Sequence, residues 1–470
     1  IVLLHEYQDT SQSQVRMLSS LYGDAHPVMA VDDVVGNSFF GGKGLDAVHK
    51  FWDVVRQLRF RDGVLRPRRH VDYAVAVAQL VQDVRDVEGL TPARADAAVS
   101  AAIDRWVWYA GWSDKFTQVL GGINPVAGPF FDISTPEPTG VVAVLAPQGS
   151  SLLGLVSVIA PVIVSGNTAV VLASEDRPLP AVTLAECMAT SDVPGGVVNI
   201  VTGGPETGAL VVNHPLAAKI AFTGSTDVGK IIQHSLAGTD KKISLELGGK
   251  AANIVFEDAA IDESVEGIVN GIFFNQGHVC CAGSRLVIQE SISDEFIKKL
   301  QKRMEKIRVG DPLDKNTDLG AINSRAQLEK IKELALAGDA EGAERWSPEC
   351  SMPNKGFWFA PTIFTGVTQS HRIAREEIFG PVLSVLTFRT PQEGIDKANN
   401  TPFGLSAGIW SEKGSKILWA SQKLKAGVIW ANTFNKFDPT SPFGGYKESG
   451  WGREGGRHGL AAYLKGVTHE

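Results

Sequence analysis

Short runs of β-branched and other apolar residues alternate with helix-forming stretches through the middle of this 470-residue chain. Residues 140–147 (Gly-Val-Val-Ala-Val-Leu-Ala-Pro) read as a buried strand, and residues 168–173 and 196–201 repeat the pattern. Between the last two, residues 179–191 are rich in Ala and Leu and suit a helix. Residues 219–223 form another strand-like run, followed at once by Gly224-Ser225-Thr226. A second series begins at Ala251, where residues 252–256 precede a stripe of Val265, Ile268, Val269, Ile272 and Phe273 at helical spacing. Such alternation predicts βαβ units and parallel sheets, here two α/β domains joined near Glu246. Residues 74–88 also read as helical.

Composition narrows the partners. An apolar fraction of 44% supports a large core, and a net charge of −7 gives no general basic footprint for nucleic acid. The cysteines are Cys187, Cys280, Cys281 and Cys350; no Cys-x-x-Cys and no His-Glu-x-x-His occurs, so neither a metal site nor a disulfide framework is expected. A reducing cytoplasm fits that usage. No apolar run reaches bilayer-spanning length, and the Ile1-Val-Leu-Leu-His5 start has no basic leader, so neither membrane partner nor signal peptide is expected.

Two blocks carry chemistry. Residues 274–285 (Phe-Asn-Gln-Gly-His-Val-Cys-Cys-Ala-Gly-Ser-Arg) place Cys280 after a helix end. Residues 245–250 (Leu-Glu-Leu-Gly-Gly-Lys) place Glu246 beside a glycine pair that lets backbone approach closely. A thiol nucleophile with a carboxylate base is the minimal kit for covalent acyl chemistry.

Both blocks resemble the aldehyde dehydrogenase superfamily, as does most of the chain from about residue 101. The supporting stretches are residues 137–142, 221–229, 376–381 (Glu-Glu-Ile-Phe-Gly-Pro) and 441–450, in the family's order. The resemblance implies an α/β fold: a Rossmann-like parallel-sheet cofactor domain, an α/β catalytic domain and a small β oligomerisation arm. On that basis residues 46–117 and 138–247 form the NAD-binding domain, 248–450 the catalytic domain, and 118–137 with 451–470 the arm. Oxidation of a small-molecule aldehyde by a homodimer or homotetramer is implied. Cys280 is the expected nucleophile, passing through a thiohemiacetal and a thioester. Glu246 is the expected base.

The same resemblance assigns cofactor contacts. Gly224, Ser225 and Gly229 open a helix after a strand, and their end of that helix suits a pyrophosphate. Glu175 matches the residue that grips the adenosine ribose and would repel a 2′-phosphate, so NAD is expected rather than NADP. Glu377 and Phe379 match nicotinamide-side residues, Gln327 a ribose contact, and Leu247 a cofactor-lining position. Cys281 is expected to point away from the site. His278 stands where the family usually has glutamine. Phe274, Trp430, Phe434 and Phe437 suggest an apolar entrance or plain core.

Two positions depart from the family. Gly149, in Pro147-Gln-Gly-Ser150, occupies the place of an oxyanion-binding asparagine, and Leu172 that of a cofactor-gripping lysine. Losing one oxyanion donor typically costs about 10²–10³ in turnover. Both lie in the half with 3 Lys and 11 Arg before residue 216, against 21 Lys and 10 Arg after it. The expectation is an enzyme of impaired activity, the alternative an inactive relative acting as scaffold. Residues 1–45 resemble instead a fragment of superfamily 1 DNA helicases. His5 replaces the metal-binding aspartate there, and Gly41-Gly-Lys-Gly44 lacks the hydroxyl of a phosphate loop, so no ATPase work is expected.

Overall fold

The computed structural model describes residues 73–191 and 193–467. The helicase-like segment 1–45, residues 46–72 of the expected cofactor domain, with the basic run Arg66-Pro-Arg-Arg-His70, and residues 468–470 of the expected arm lie outside the described residues. The chain forms two compact units, divided at Leu245/Glu246; residues 438–442 and 452–467 return to the first.

In the first unit, helices α1 (Tyr73–Glu88) and α2 (Pro92–Ala110) precede the βαβ series. It runs β1 (Val141–Leu145), α3 (Leu153–Val164), β2 (Thr168–Ala173), α4 (Leu179–Ala189), β3 (Val198–Thr202), α5 (Pro205–Asn213), β4 (Lys219–Thr223), α6 (Thr226–Leu236) and β5 (Lys242–Glu246). These strands are ordered β5-β4-β1-β2-β3, and β1 pairs in parallel with both β2 and β4. Strands buried on both faces read as continuous apolar runs, which is why Val-Val-Ala-Val-Leu forms β1. Helix α3 is apolar on every face, and nine of its twelve residues are buried. Each buried Val, Leu or Ile there contributes about 1.5–3 kcal/mol. Asn167 fixes the entry to β1: its Oδ1 accepts the Gly140 N–H at 2.7 Å, and its amide donates to the Tyr463 carbonyl at 2.8 Å.

A short hairpin, Gly122–Asn124 with Asp132–Ser134, and the pairing of Leu464–Lys465 with Glu137–Pro138 complete this unit. The hairpin region leaves Ile123, Phe130, Phe131 and Ile133 exposed, Phe131 at 87%.

The second unit repeats the logic. It contains β6 (Ala252–Val255), α7 (Ile261–Phe273), β7 (Arg285–Gln289), α8 (Ser293–Met304), α9 (Arg325–Ala340), β8 (Glu344–Trp346), β9 (Thr362–Thr365) and β10 (Val382–Phe388). Next come α10 (Pro391–Asn399), β11 (Ser406–Trp410), α11 (Gly414–Lys423) and β12 (Val428–Ala431). The sheet order is β8-β9-β10-β7-β6-β11-β12, parallel throughout except for the β8–β9 edge. The stripe read from the sequence is the buried face of α7: Val265, Ile268, Val269, Ile272 and Phe273 are all buried.

Candidate active site

Strand order assembles the second unit's candidate site. Neighbours β10, β7 and β6 run parallel, so the segments that lead into them meet at one sheet edge. Residues 377–380 lead into β10, residues 275–284 into β7, and residues 246–251 into β6. Cys280, Glu377 and the block containing Glu246 therefore share the N-terminal edge of this sheet.

The glycine pair brings them close. Glu377 Oε1 accepts the Gly249 N–H at 3.0 Å, and a Cβ on Gly248 would fall 2.2 Å from Glu377 Oε2. A Cβ on Gly249 would fall 2.5 Å from the Cys280 carbonyl oxygen. Glycine is thus required where a carboxylate and a second backbone both press against one strand lead-in. Glu246, three residues earlier, is buried.

The loop bearing Cys280 is held in an unusual backbone form. Asn275, Gln276 and Gly277 all have positive φ (48°, 58° and 73°), which only glycine adopts without strain. Side chains lock it: Gln276 Oε1 accepts the Gly320 N–H at 3.2 Å, and Asn275 Nδ2 donates to the His278 carbonyl at 3.2 Å. The His278 ring stacks on Phe379, centroids 5.4 Å apart, and Phe379 itself has φ of 52°. Gln327 donates to the carbonyls of Ile378 and Phe379 at 2.8 and 3.0 Å. Its amide thus fixes the loop carrying Glu377.

The two cysteines diverge. Cys280 is partly exposed, whereas Cys281 is fully buried with its thiol 3.4 Å from Asn435 Oδ1. A hydrogen bond with the Cys281 thiol, burial and the nearby Glu377 carboxylate together push the Cys280 thiol well above its ordinary range. Only the thiolate alkylates readily. Iodoacetamide labelling at Cys280 should therefore level off at a higher pH than labelling of an ordinary thiol. Glu377→Gln removes one negative charge and should move that profile toward lower pH; peptide mass spectrometry against pH checks both. Of the aromatic residues, Trp430 and Phe434 are core, while Phe274 and Phe437 are more than half exposed.

The first unit presents its expected cofactor residues at the opposite kind of edge. Gly149 follows β1, Glu175 follows β2 and Ser225 follows β4, all at strand C-termini, where ligands bind in open α/β sheets. Ser225 caps α6, its Oγ accepting the Val228 N–H at 3.3 Å, and Gly229 is buried one turn on. Glu175 is exposed, and its Oε2 lies 2.8 Å from where a Cβ on Gly204 would stand. These residues fit a dinucleotide: an open helix N-terminus for phosphate and a solvent-facing carboxylate for ribose hydroxyls. Leu172 supplies no charge; its side chain is buried, with Cδ2 3.4 Å from the Cβ position of Gly208 on α5. Around Gly149 nothing lies within 4 Å of an added Cβ.

Two buried cations beside the second site were not singled out from the sequence: Lys250 and Arg285 are each about 2% exposed. Lysine and arginine read as surface residues, so their burial has no local signature.

Comparison with known proteins finds similar sequences and structures. The profile described as "Aldehyde dehydrogenase family" matches residues 78–468. Retinal dehydrogenase 2 of Rattus norvegicus is 44% identical over 365 residues, covering 77% of this chain and 70% of that protein. A putative aldehyde dehydrogenase of Bacillus subtilis, DhaS, is 40% identical over 78% of this chain and 74% of its own. Among solved structures, an NAD-dependent aldehyde dehydrogenase from Sinorhizobium meliloti superposes with a TM-score of 0.82 at 35% identity, covering 90% of this chain and 81% of that one. Betaine aldehyde dehydrogenase from Staphylococcus aureus, in complex with NAD+, gives 0.81 at 32% identity over 90% and 81%.

Proposed function

Because this chain belongs to the aldehyde dehydrogenase family, we propose that Cys280 is the nucleophile and Glu246 the general base in its reaction. That reaction is the NAD-dependent oxidation of an aldehyde to a carboxylic acid. The scaffold alternative has no observation in its favour. The observation that carries the assignment is the packing of Gly248 and Gly249, two and three residues after Glu246, against Glu377 and the Cys280 backbone at one sheet edge.

Glu175 would hold the adenosine ribose, and Gly224, Ser225 and Gly229 the pyrophosphate; Leu247, Glu377 and Phe379 would serve the nicotinamide side. Gln327 would contact a ribose; its amide nitrogen also donates to the carbonyls of Ile378 and Phe379. Glu175 disfavours a 2′-phosphate, so NAD is the cofactor and NADP the poorer one. When bound, NAD supplies the acceptor for a hydride from the substrate carbon.

Cys280 gives up its proton to solvent, and its sulfur attacks the aldehyde carbon: a C–S bond forms as the carbonyl π bond breaks, its electron pair passing to the oxygen as an oxyanion. The Cys280 backbone N–H is one donor to that oxygen. After the hydride departs, the carbon is a thioester on Cys280. Glu246 takes a proton from water, the water oxygen attacks the thioester, the C–S bond breaks, and the acid leaves. Glu246→Gln should lower steady-state turnover by about 10²–10⁴ while leaving a rapid stoichiometric burst of reduced cofactor. Rapid-mixing absorbance measures both, and unchanged steady-state turnover would remove Glu246 from the role.

The exposed Ile123, Phe130, Phe131 and Ile133 support an oligomerisation arm, and a homodimer or homotetramer is proposed. Phe131→Glu should lower the assembly mass in sedimentation velocity; an unchanged mass would place the interface elsewhere. Among the described residues no helix is long and apolar enough to cross a membrane. A reducing, cytoplasmic compartment is proposed from the cysteine usage of the sequence alone.

A further inference from the structure

Beneath the α10–β11 connection of the second unit lies a small cavity of about 20 Å³, bordered by Lys250, Arg285, Asn399, Thr401, Ser406 and Lys425 among others. It holds roughly one water-sized occupant. None of the described residues that line it is acidic.

The cations around it are poorly balanced. The Arg285 guanidinium is spent on three backbone carbonyls, those of Lys250, Lys397 and Ala398, at 2.9, 3.1 and 2.8 Å. Carbonyl dipoles satisfy its N–H groups but do not cancel its charge. Lys250 Nζ is buried and makes no hydrogen bond among the described residues. Burial first, then Arg285, hold Lys250 down at about 7. Burial, Lys425 and Arg285 also lower Lys447, whose Nζ donates to the carbonyls of Asn399 and Thr401 at 2.8 and 2.9 Å.

Two carboxylates act on Lys250 from outside the cavity, Glu377 and Glu376. Both already have partners: Glu377 accepts the Gly249 N–H, and Glu376 accepts from Arg372 Nε at 2.6 Å. A buried charge without a bonded counter-charge is costly, and it is relieved either by losing its proton or by taking in an anion. Arginine cannot take the first route near neutral pH.

We propose that this cavity is a binding site for one small monovalent anion, chloride in the cell, which offsets the charges of Lys250 and Arg285. Its water-sized space suits a halide better than phosphate or an organic acid. Occupancy would steady the Lys250 end of the segment that carries Glu246 and the glycine pair.

The test compares the intact protein's thermal midpoint in sodium chloride and in sodium gluconate at equal ionic strength, gluconate being too large to enter. Chloride should raise the midpoint by ~2 °C or more and then saturate. Lys250→Met keeps the stem and removes the charge, and should abolish the chloride-specific part. Equal midpoints in the two salts, or an undiminished chloride response in Lys250→Met, would overturn the site. Should that variant fail to fold, bromide soaked into crystals of the unaltered protein decides. An anomalous peak in the cavity supports the proposal, and its absence at saturating bromide refutes it. A peak without any halide response in solution means binding at crystal concentration only, and also counts against it.

Discussion

Cys280→Ser should lower aldehyde oxidation on the order of 10⁴–10⁶-fold, the scale seen when an enzyme loses its nucleophile. A serine hydroxyl fits the same volume but ionises far less readily than a thiol, and nothing in this loop would activate it. Cys281 cannot substitute. It is fully buried, its thiol faces Asn435, and its carbonyl accepts from Ser406 Oγ at 3.3 Å. Cys281→Ala should therefore retain most of the activity that Cys280→Ser loses. Fold disruption is a weak explanation for the contrast, because the fully buried thiol is the one whose removal should be tolerated. Parallel kinetics and circular dichroism on both variants check the prediction.

The second large effect is a gain. Gly149→Asn should raise kcat by about 10²–10³, the usual contribution of one oxyanion donor. An added side chain meets no obstacle, since nothing lies within 4 Å of the Cβ position, and Gly149 is exposed after β1. Ser150 Oγ accepts the Gly154 N–H at 3.0 Å and the Gln148 backbone carbonyl accepts from Arg177 at 3.3 Å; neither contact uses the donor of its side chain. The gain should fall on kcat and leave the KM for NAD nearly unchanged, because the donor acts on the oxyanion. Steady-state kinetics with a panel of aldehydes reads it. No gain would mean that this chain already stabilises the oxyanion by other groups. Leu172 is the harder position to restore: a lysine there must displace a side chain packed toward α5.

The sequence made the scaffold legible where period and burial coincide. The Val-rich run of β1 could only be a doubly covered strand, and the stripe from Val265 to Phe273 proved to be the inner face of α7. The role proposed for Cys280 comes from the motif around it. What stayed hidden depends on contacts far apart in the chain. Nothing local to Gln327 announces that its amide also donates to carbonyls 51 and 52 residues away. Positive φ at Asn275 and Gln276 could not be foreseen, since only Gly277 advertises it. Lys250 and Arg285 are hydrophilic letters in apolar surroundings, and their burial follows from strand order rather than local pattern.

Acyl-enzyme trapping tests the central assignment most directly. Glu246→Gln protein, mixed with an aldehyde and NAD and quenched in acid, should carry one acyl group on the peptide containing Cys280. An acyl group on any other residue, or no adduct despite reduced cofactor being formed, would contradict the account.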